Sequence, residues 1–148
     1  MRAFRLPALA AIAALTALTG AAVHENADEA AVRATIQHYF DGGMSVRKAF
    51  HPSARMTFVA DTGFTLVPIE TYLQRVEEGA RRNPAARGWP EKRIADIDIT
   101  GDAAVAKLEL GGPNGSVTDY MTLLRIDGNW LIVNKSFTRR PAAAQSSR

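Results

Sequence analysis

Val117-Thr-Asp-Tyr-Met-Thr-Leu-Leu-Arg-Ile126, then Asp127-Gly128, then Asn129-Trp-Leu-Ile-Val-Asn-Lys-Ser-Phe-Thr138 is the stretch that decides the fold. Two apolar, β-rich runs flank an Asp-Gly pair, a dipeptide that readily takes the positive φ angles a two-residue hairpin needs. Upstream, Ala103 to Leu110 reads as another strand, and Arg93-Ile-Ala-Asp-Ile-Asp-Ile99 alternates apolar with acidic. Gly101-Asp102 turns one into the other, and Gly111-Gly-Pro-Asn-Gly115 reads as a longer loop. The second half of the chain is therefore an antiparallel meander.

The first half reads differently. Val32, Ile36, Tyr39 and Phe40 recur at i, i+4, i+7 and i+8, the apolar stripe of a helix. Asn26 or Asp28 can cap its start, Glu29 stands at capping-box spacing from Asn26, and Gly42-Gly43 ends it. Ser45 can cap a second, short helix through Val46, Ala49 and Phe50 that Pro52 stops. Arg55 to Ala60 and Phe64 to Val67 are short strands joined by Asp61-Thr-Gly63. Pro68 suits the first position of a third helix. Ile69, Tyr72, Leu73, Val76 and Ala80 form its apolar face, with Glu77 and Glu78 outside or at the edge. Arg81 to Pro90 is a loop carrying Trp89, which has no periodic partner. Helices first and antiparallel strands afterwards argue for α+β, with helices on one face of a curved sheet.

The amino terminus reads as an export signal. Arg2 and Arg5 precede an apolar run from Leu6 to Leu18, and small residues through Ala22 close it. The run is too short to span a bilayer, which takes about 20 apolar residues. The expected organisation is a signal peptide over 1–22 cut after Ala22, a domain over 23–141, and a disordered tail over 142–148. The mature protein is then periplasmic or secreted, without a membrane anchor. Losing Arg2 and Arg5 takes the formal net charge from +3 to +1. That weakens any nucleic-acid reading, as does the absence of aromatics interleaved with the basic Arg81, Arg82 and Arg87. With no cysteine, stability must come from packing, and thiol catalysis and cysteine-ligated metals are excluded. The three scattered histidines point to no metal site.

The phrases Tyr39-Phe-Asp-Gly42, Ala49-Phe-His-Pro-Ser-Ala54, Ile97-Asp-Ile-Thr-Gly-Asp-Ala-Ala104, Thr118-Asp-Tyr-Met-Thr-Leu123 and Asp127-Gly-Asn-Trp-Leu-Ile-Val-Asn-Lys135 occur in one order across nearly the whole domain. In this the chain resembles the NTF2-like (SnoaL-like) superfamily, and within it the group labelled putative lumazine-binding proteins. The resemblance implies a cone: three N-terminal helices packed on a strongly curved, mainly antiparallel sheet of about six strands. It also implies an apolar cavity on the concave face and a homodimer through the convex face. No cofactor is implied, and the expected ligand is a small apolar or aromatic molecule.

Within that frame His51 is a candidate acid–base group or polar anchor at the cone mouth, or else it bonds to the nearby backbone. Asp119 is the second catalytic candidate. In a strand otherwise apolar or neutral, it either pairs across the sheet, with Lys135 or Asn134, or enters the pocket. Straight alternation along the last strand puts Trp130, Ile132 and Asn134 on one face and Lys135 on the other. Because the resemblance gives Trp130 to the core, Asn134 is expected to point inward and Lys135 outward. Tyr39, Phe50, His51, Trp89, Asp119 and Asn134 are the expected ligand-binding set. Tyr39 and Tyr72 serve there as cavity wall or plain packing, and Trp89 as lid or dimer contact. The superfamily's double-bond isomerases carry a carboxylate base at a place matched here by Phe58 to Ala60. The nearest acid, Asp61, starts a turn instead. The leading reading is a binder without catalysis. The alternatives are a lyase or isomerase using His51 or Asp119, and a homodimeric interaction module with a filled cone.

Overall fold

A computed structural model describes residues 27–85 and 88–142. The signal segment with its cut after Ala22, the Asn26 cap, Arg87 and the tail from 143 onward lie outside the described residues. Helix α1 covers residues 27–41, and a 3-10 helix follows over Gly43–Ala49. Then come β1 (Phe50–Ala60), β2 (Gly63–Pro68), α2 (Ile69–Arg82), β3 (Glu91–Thr100), β4 (Ala103–Gly112), β5 (Gly115–Ile126) and β6 (Asn129–Pro141). The six strands form one sheet in the order β2-β1-β6-β5-β4-β3. Every pairing is antiparallel except β1 with β6, so the sheet is mixed but mainly antiparallel. This is the expected α+β architecture, with the third helix inserted after β2.

The β5–β6 hairpin closes as its Asp-Gly pair demands. Asp127 and Gly128 both have positive φ, 50° and 78°, the signature of a type I′ turn whose twist matches the strands it joins. The expected longer loop over Gly111–Gly115 is shorter than read: Gly112 pairs with Gly115 across a turn of Pro113 and Asn114 alone. The short helix also differs. It starts on Gly42 rather than on a Ser45 cap, and it gives way to strand at Phe50. β1 is correspondingly longer than the sequence suggested, running through Pro52 with a break in its pairing to β6 between Phe50 and Arg55.

Burial along β4 and β5 alternates cleanly. Ala104, Ala106, Leu108, Met121 and Leu123 face inward in one cluster with Val32 and Ile36 of α1 and Ile69 and Leu73 of α2. Asp28 stands inside α1 rather than capping it, accepting the Trp130 indole N–H at 3.1 Å and pairing with Arg125. Thr35 donates to the Trp130 carbonyl at 2.7 Å. These bonds lay α1 across the β5–β6 hairpin. On α2, Glu77 is buried rather than outside, because Arg47 of the 3-10 helix covers it and binds it at 2.7 Å. Arg47 also binds Glu70, and its guanidinium holds both carboxyls below the usual range.

One irregularity sets the inward face of β6. Between β5 and β6 the register steps from Thr122↔Asn134 to Leu123↔Ile132, leaving Val133 as an extra residue. Such a bulge bends the strand and reverses which side chains point inward beyond it. The alternation read straight through Val133 is therefore corrected. Lys135 is buried on the same side as Trp130 and Ile132, and Asn134 is not.

Candidate functional site

The bulge turns Lys135 into the core opposite another core-facing charge. Asp119 occupies an inward position of β5 and has no exposed surface. Its Oδ1 takes the Lys135 ammonium as a salt bridge, and its Oδ2 accepts the Tyr39 hydroxyl at 2.6 Å. The Lys135 Nζ also lies 5.3 Å from the Tyr39 ring centre and 4.9 Å from that of Phe137. Each charge thus has a partner, as burial requires, and no buried side-chain polar atom among the described residues is left without one.

Burial and neighbours set the ionisation here. Burial pushes the Tyr39 phenol well above its usual range, aided by Tyr72 and the Asp119 charge. Burial likewise pushes Tyr72 up to about 12, against its hydrogen bond with Tyr39, which lowers it. Lys135 moves down: burial penalises its cation more than Asp119 rewards it. At neutral pH both phenols are protonated donors.

Above this cluster opens a cavity of about 670 Å³. Tyr39, Tyr72, Phe58, Phe137 and Trp89 give it aromatic surface, Met56 and Val117 add apolar wall, and Lys135, Arg75 and Arg139 are its charged residues. Phe58 and Phe137 face each other across the β1–β6 pair with ring centres 4.8 Å apart. Arg139 lies over the Phe137 ring at 5.7 Å. Trp89 also borders a smaller adjoining cavity of about 330 Å³ between α1, α2 and β4.

The expected ligand-binding residues separate on this geometry. Tyr39 and Trp89 line the cavity, and Asp119 sits directly behind it, fastened to two lining residues. Phe50 packs edge-on against Tyr39 and Tyr72, with ring centres 6.1 and 6.3 Å away, and supports the wall rather than forming it. His51 is elsewhere: its Nδ1 accepts the Ser53 backbone N–H at 3.1 Å, a local turn on β1. Asn134 points away and donates to Ser136 at 3.1 Å. Lys135, Phe58, Phe137, Arg75 and Arg139 also line the cavity, and the sequence alone does not single them out for it. Their signal was present only as aromatics and cations on separate strands and a helix, with nothing to tie them together. Among the described residues no cluster of three or more His, Asp or Glu side chains is arranged to hold a metal ion. Nor is any described helix long and apolar enough to cross a membrane.

A family profile described as "Putative lumazine-binding" matches residues 27–138. The chain belongs to this family. Among solved structures it is similar to an NTF2-like protein of unknown function from Shewanella baltica OS155. The two are 26% identical, the TM-score is 0.65, and the match covers 78% of this chain and 95% of that one. A second NTF2-like protein of unknown function, from Methylobacillus flagellatus KT, is also 26% identical, with a TM-score of 0.61 and coverage of 76% and 92%. A third, from Silicibacter pomeroyi DSS-3, is 20% identical at a TM-score of 0.66, covering 78% and 98%, and shares the fold. A sequence comparison with curated proteins finds no match.

Proposed function

We propose that this is an exported domain that holds a small apolar or aromatic molecule in its cavity without acting on it. The observation that carries this reading is the 670 Å³ opening itself, walled by aromatic rings and floored by a satisfied polar cluster. Ligand sites typically enclose about 300–1,000 Å³ and combine apolar walls with a few convergent polar groups. The family description supports the same reading, since lumazine is a flat heteroaromatic compound. An interaction module with a filled cone fits an opening of this size poorly. A base at Asp119 is also disfavoured, because both carboxylate oxygens already hold protons of neighbours.

Two further parts of the reading rest on other observations. Export rests on the basic, then apolar, then small-residue order of the first 22 residues. Amino-terminal sequencing of protein recovered outside the cytoplasm checks it: a start at Val23 supports export with cleavage, and an intact Met1 contradicts it. Homodimerisation rests on Val105, Tyr120 and Leu124, exposed together on the outer face of β4 and β5.

Thermal-shift screening of the mature domain against flat aromatic compounds, followed by native mass spectrometry of the hits, tests the binding function. A one-to-one complex lost in Ala60→Trp, which crowds the cavity wall, is the expected result. Compounds that bind equally well to that variant would place their site elsewhere and sink the assignment.

A further inference from the structure

The charged residues lining the cavity are all cations. Among the described residues Lys135, Arg75 and Arg139 line it, and no carboxylate does. The Lys135 charge is answered from behind by Asp119. Arg75 on α2 and Arg139 on β6 have no such answer, and neither makes an ion pair with a described carboxylate. Arg47, Arg93 and Arg125, by contrast, each sit on one or two carboxylates. The Arg139 guanidinium is held near the wall by the Phe137 ring. Its charge reaches inward far enough to oppose the Lys135 cation and to favour ionisation of Tyr72. The site therefore carries an uncompensated charge of about two positive units at its mouth and aromatic rings within.

From this we infer that the cavity selects a flat aromatic acid: a ring seated among Tyr39, Phe58, Phe137 and Trp89, with its carboxylate turned outward to Arg75 and Arg139. This rests on the binding function proposed above and names the class of ligand. The guanidinium fork matches the planar carboxylate in two parallel hydrogen bonds, a pairing that a neutral amide of the same shape cannot make with a donor-only group. The Tyr72 phenol is protonated at neutral pH and adds no opposing charge. An organic cation meets two like charges at the mouth and is rejected.

Calorimetric titration with 2-naphthoate and its uncharged isostere 2-naphthamide tests this. The acid should bind about tenfold tighter or more, as charge-assisted pairs allow. Raising the salt concentration should weaken the acid alone. In Arg75→Gln/Arg139→Gln, whose fold is checked by circular dichroism, affinity for the acid should fall to that of the amide in the unaltered protein. An amide that binds as tightly as the acid, or an acid preference that survives the double substitution, overturns the charge selection and leaves cavity binding standing. Binding of neither compound overturns both.

Discussion

Asp119 and Lys135 meet behind the Tyr39 ring, where each is tolerable only because of the other. Removing one leaves a bare charge in the core, which costs about 3–5 kcal/mol, whereas replacing both with apolar groups is often nearly neutral. Asp119→Asn or Lys135→Met alone should therefore lower the urea unfolding free energy by several kcal/mol. Asp119→Leu/Lys135→Met together should recover most of that loss, and additive losses would contradict the pairing. The phenols set a pH signature. Tyr72 keeps its proton up to about pH 12 when folded, but only to about 10 when unfolded. A raised folded value means that its contribution is complete below pH 10 and fades as pH climbs through 12. The lowered Lys135 value has the opposite sign, its cost being relieved as pH rises towards 10.5. Stability should thus hold or rise slightly towards pH 10 and then drop. Equilibrium unfolding of Tyr72→Phe, measured across this range, should show a shallower drop.

At the scale of elements, the sharpest local demand falls on Gly115, which opens β5 after the Pro113-Asn114 turn. Its φ is +116°, and a Cβ there would stand 2.2 Å from the Arg140 carbonyl oxygen. Gly115→Ala should cost about 2 kcal/mol or more, from the sparsely populated backbone plus the clash. Thermal unfolding checks it, and an unchanged midpoint would mean the β5 entry is not as tight as described. The same scale divides what the sequence made legible from what it did not. The α1 stripe from Val32 to Phe40, the Asp127-Gly128 turn and the apolar face of α2 are each decided by residues a few positions apart, and all were readable. The Val133 bulge was not. Valine suits a regular strand, so nothing local announces an extra residue, and straight alternation sends Lys135 to the wrong face. Glu77 was misplaced for a similar reason, since its burial depends on Arg47, thirty residues earlier. The site suffered most: Asp119 and Tyr39 stood out by chemistry or stripe, but Phe58, Phe137 and Arg139 matter only once β1 lies parallel to β6.

For the molecule as a whole, the two faces of the sheet divide the work: the inner one encloses the cavity under the helices, and the outer one exposes Val105, Tyr120 and Leu124. If that outer patch joins two copies, Tyr120→Glu should shift sedimentation from dimer to monomer without unfolding the domain, and a monomeric unaltered protein would contradict the association. The cavity is the centre of the proposed function. Its most direct test is a titration of 2-naphthamide and 2-naphthoate followed through backbone amide resonances of a chain spanning residues 23–148. Saturable shifts are expected, from one compound or both, concentrated at Tyr39, Tyr72, Trp89 and Phe137. Resonances at those positions that stay put while both compounds are raised to their solubility limits would contradict that function.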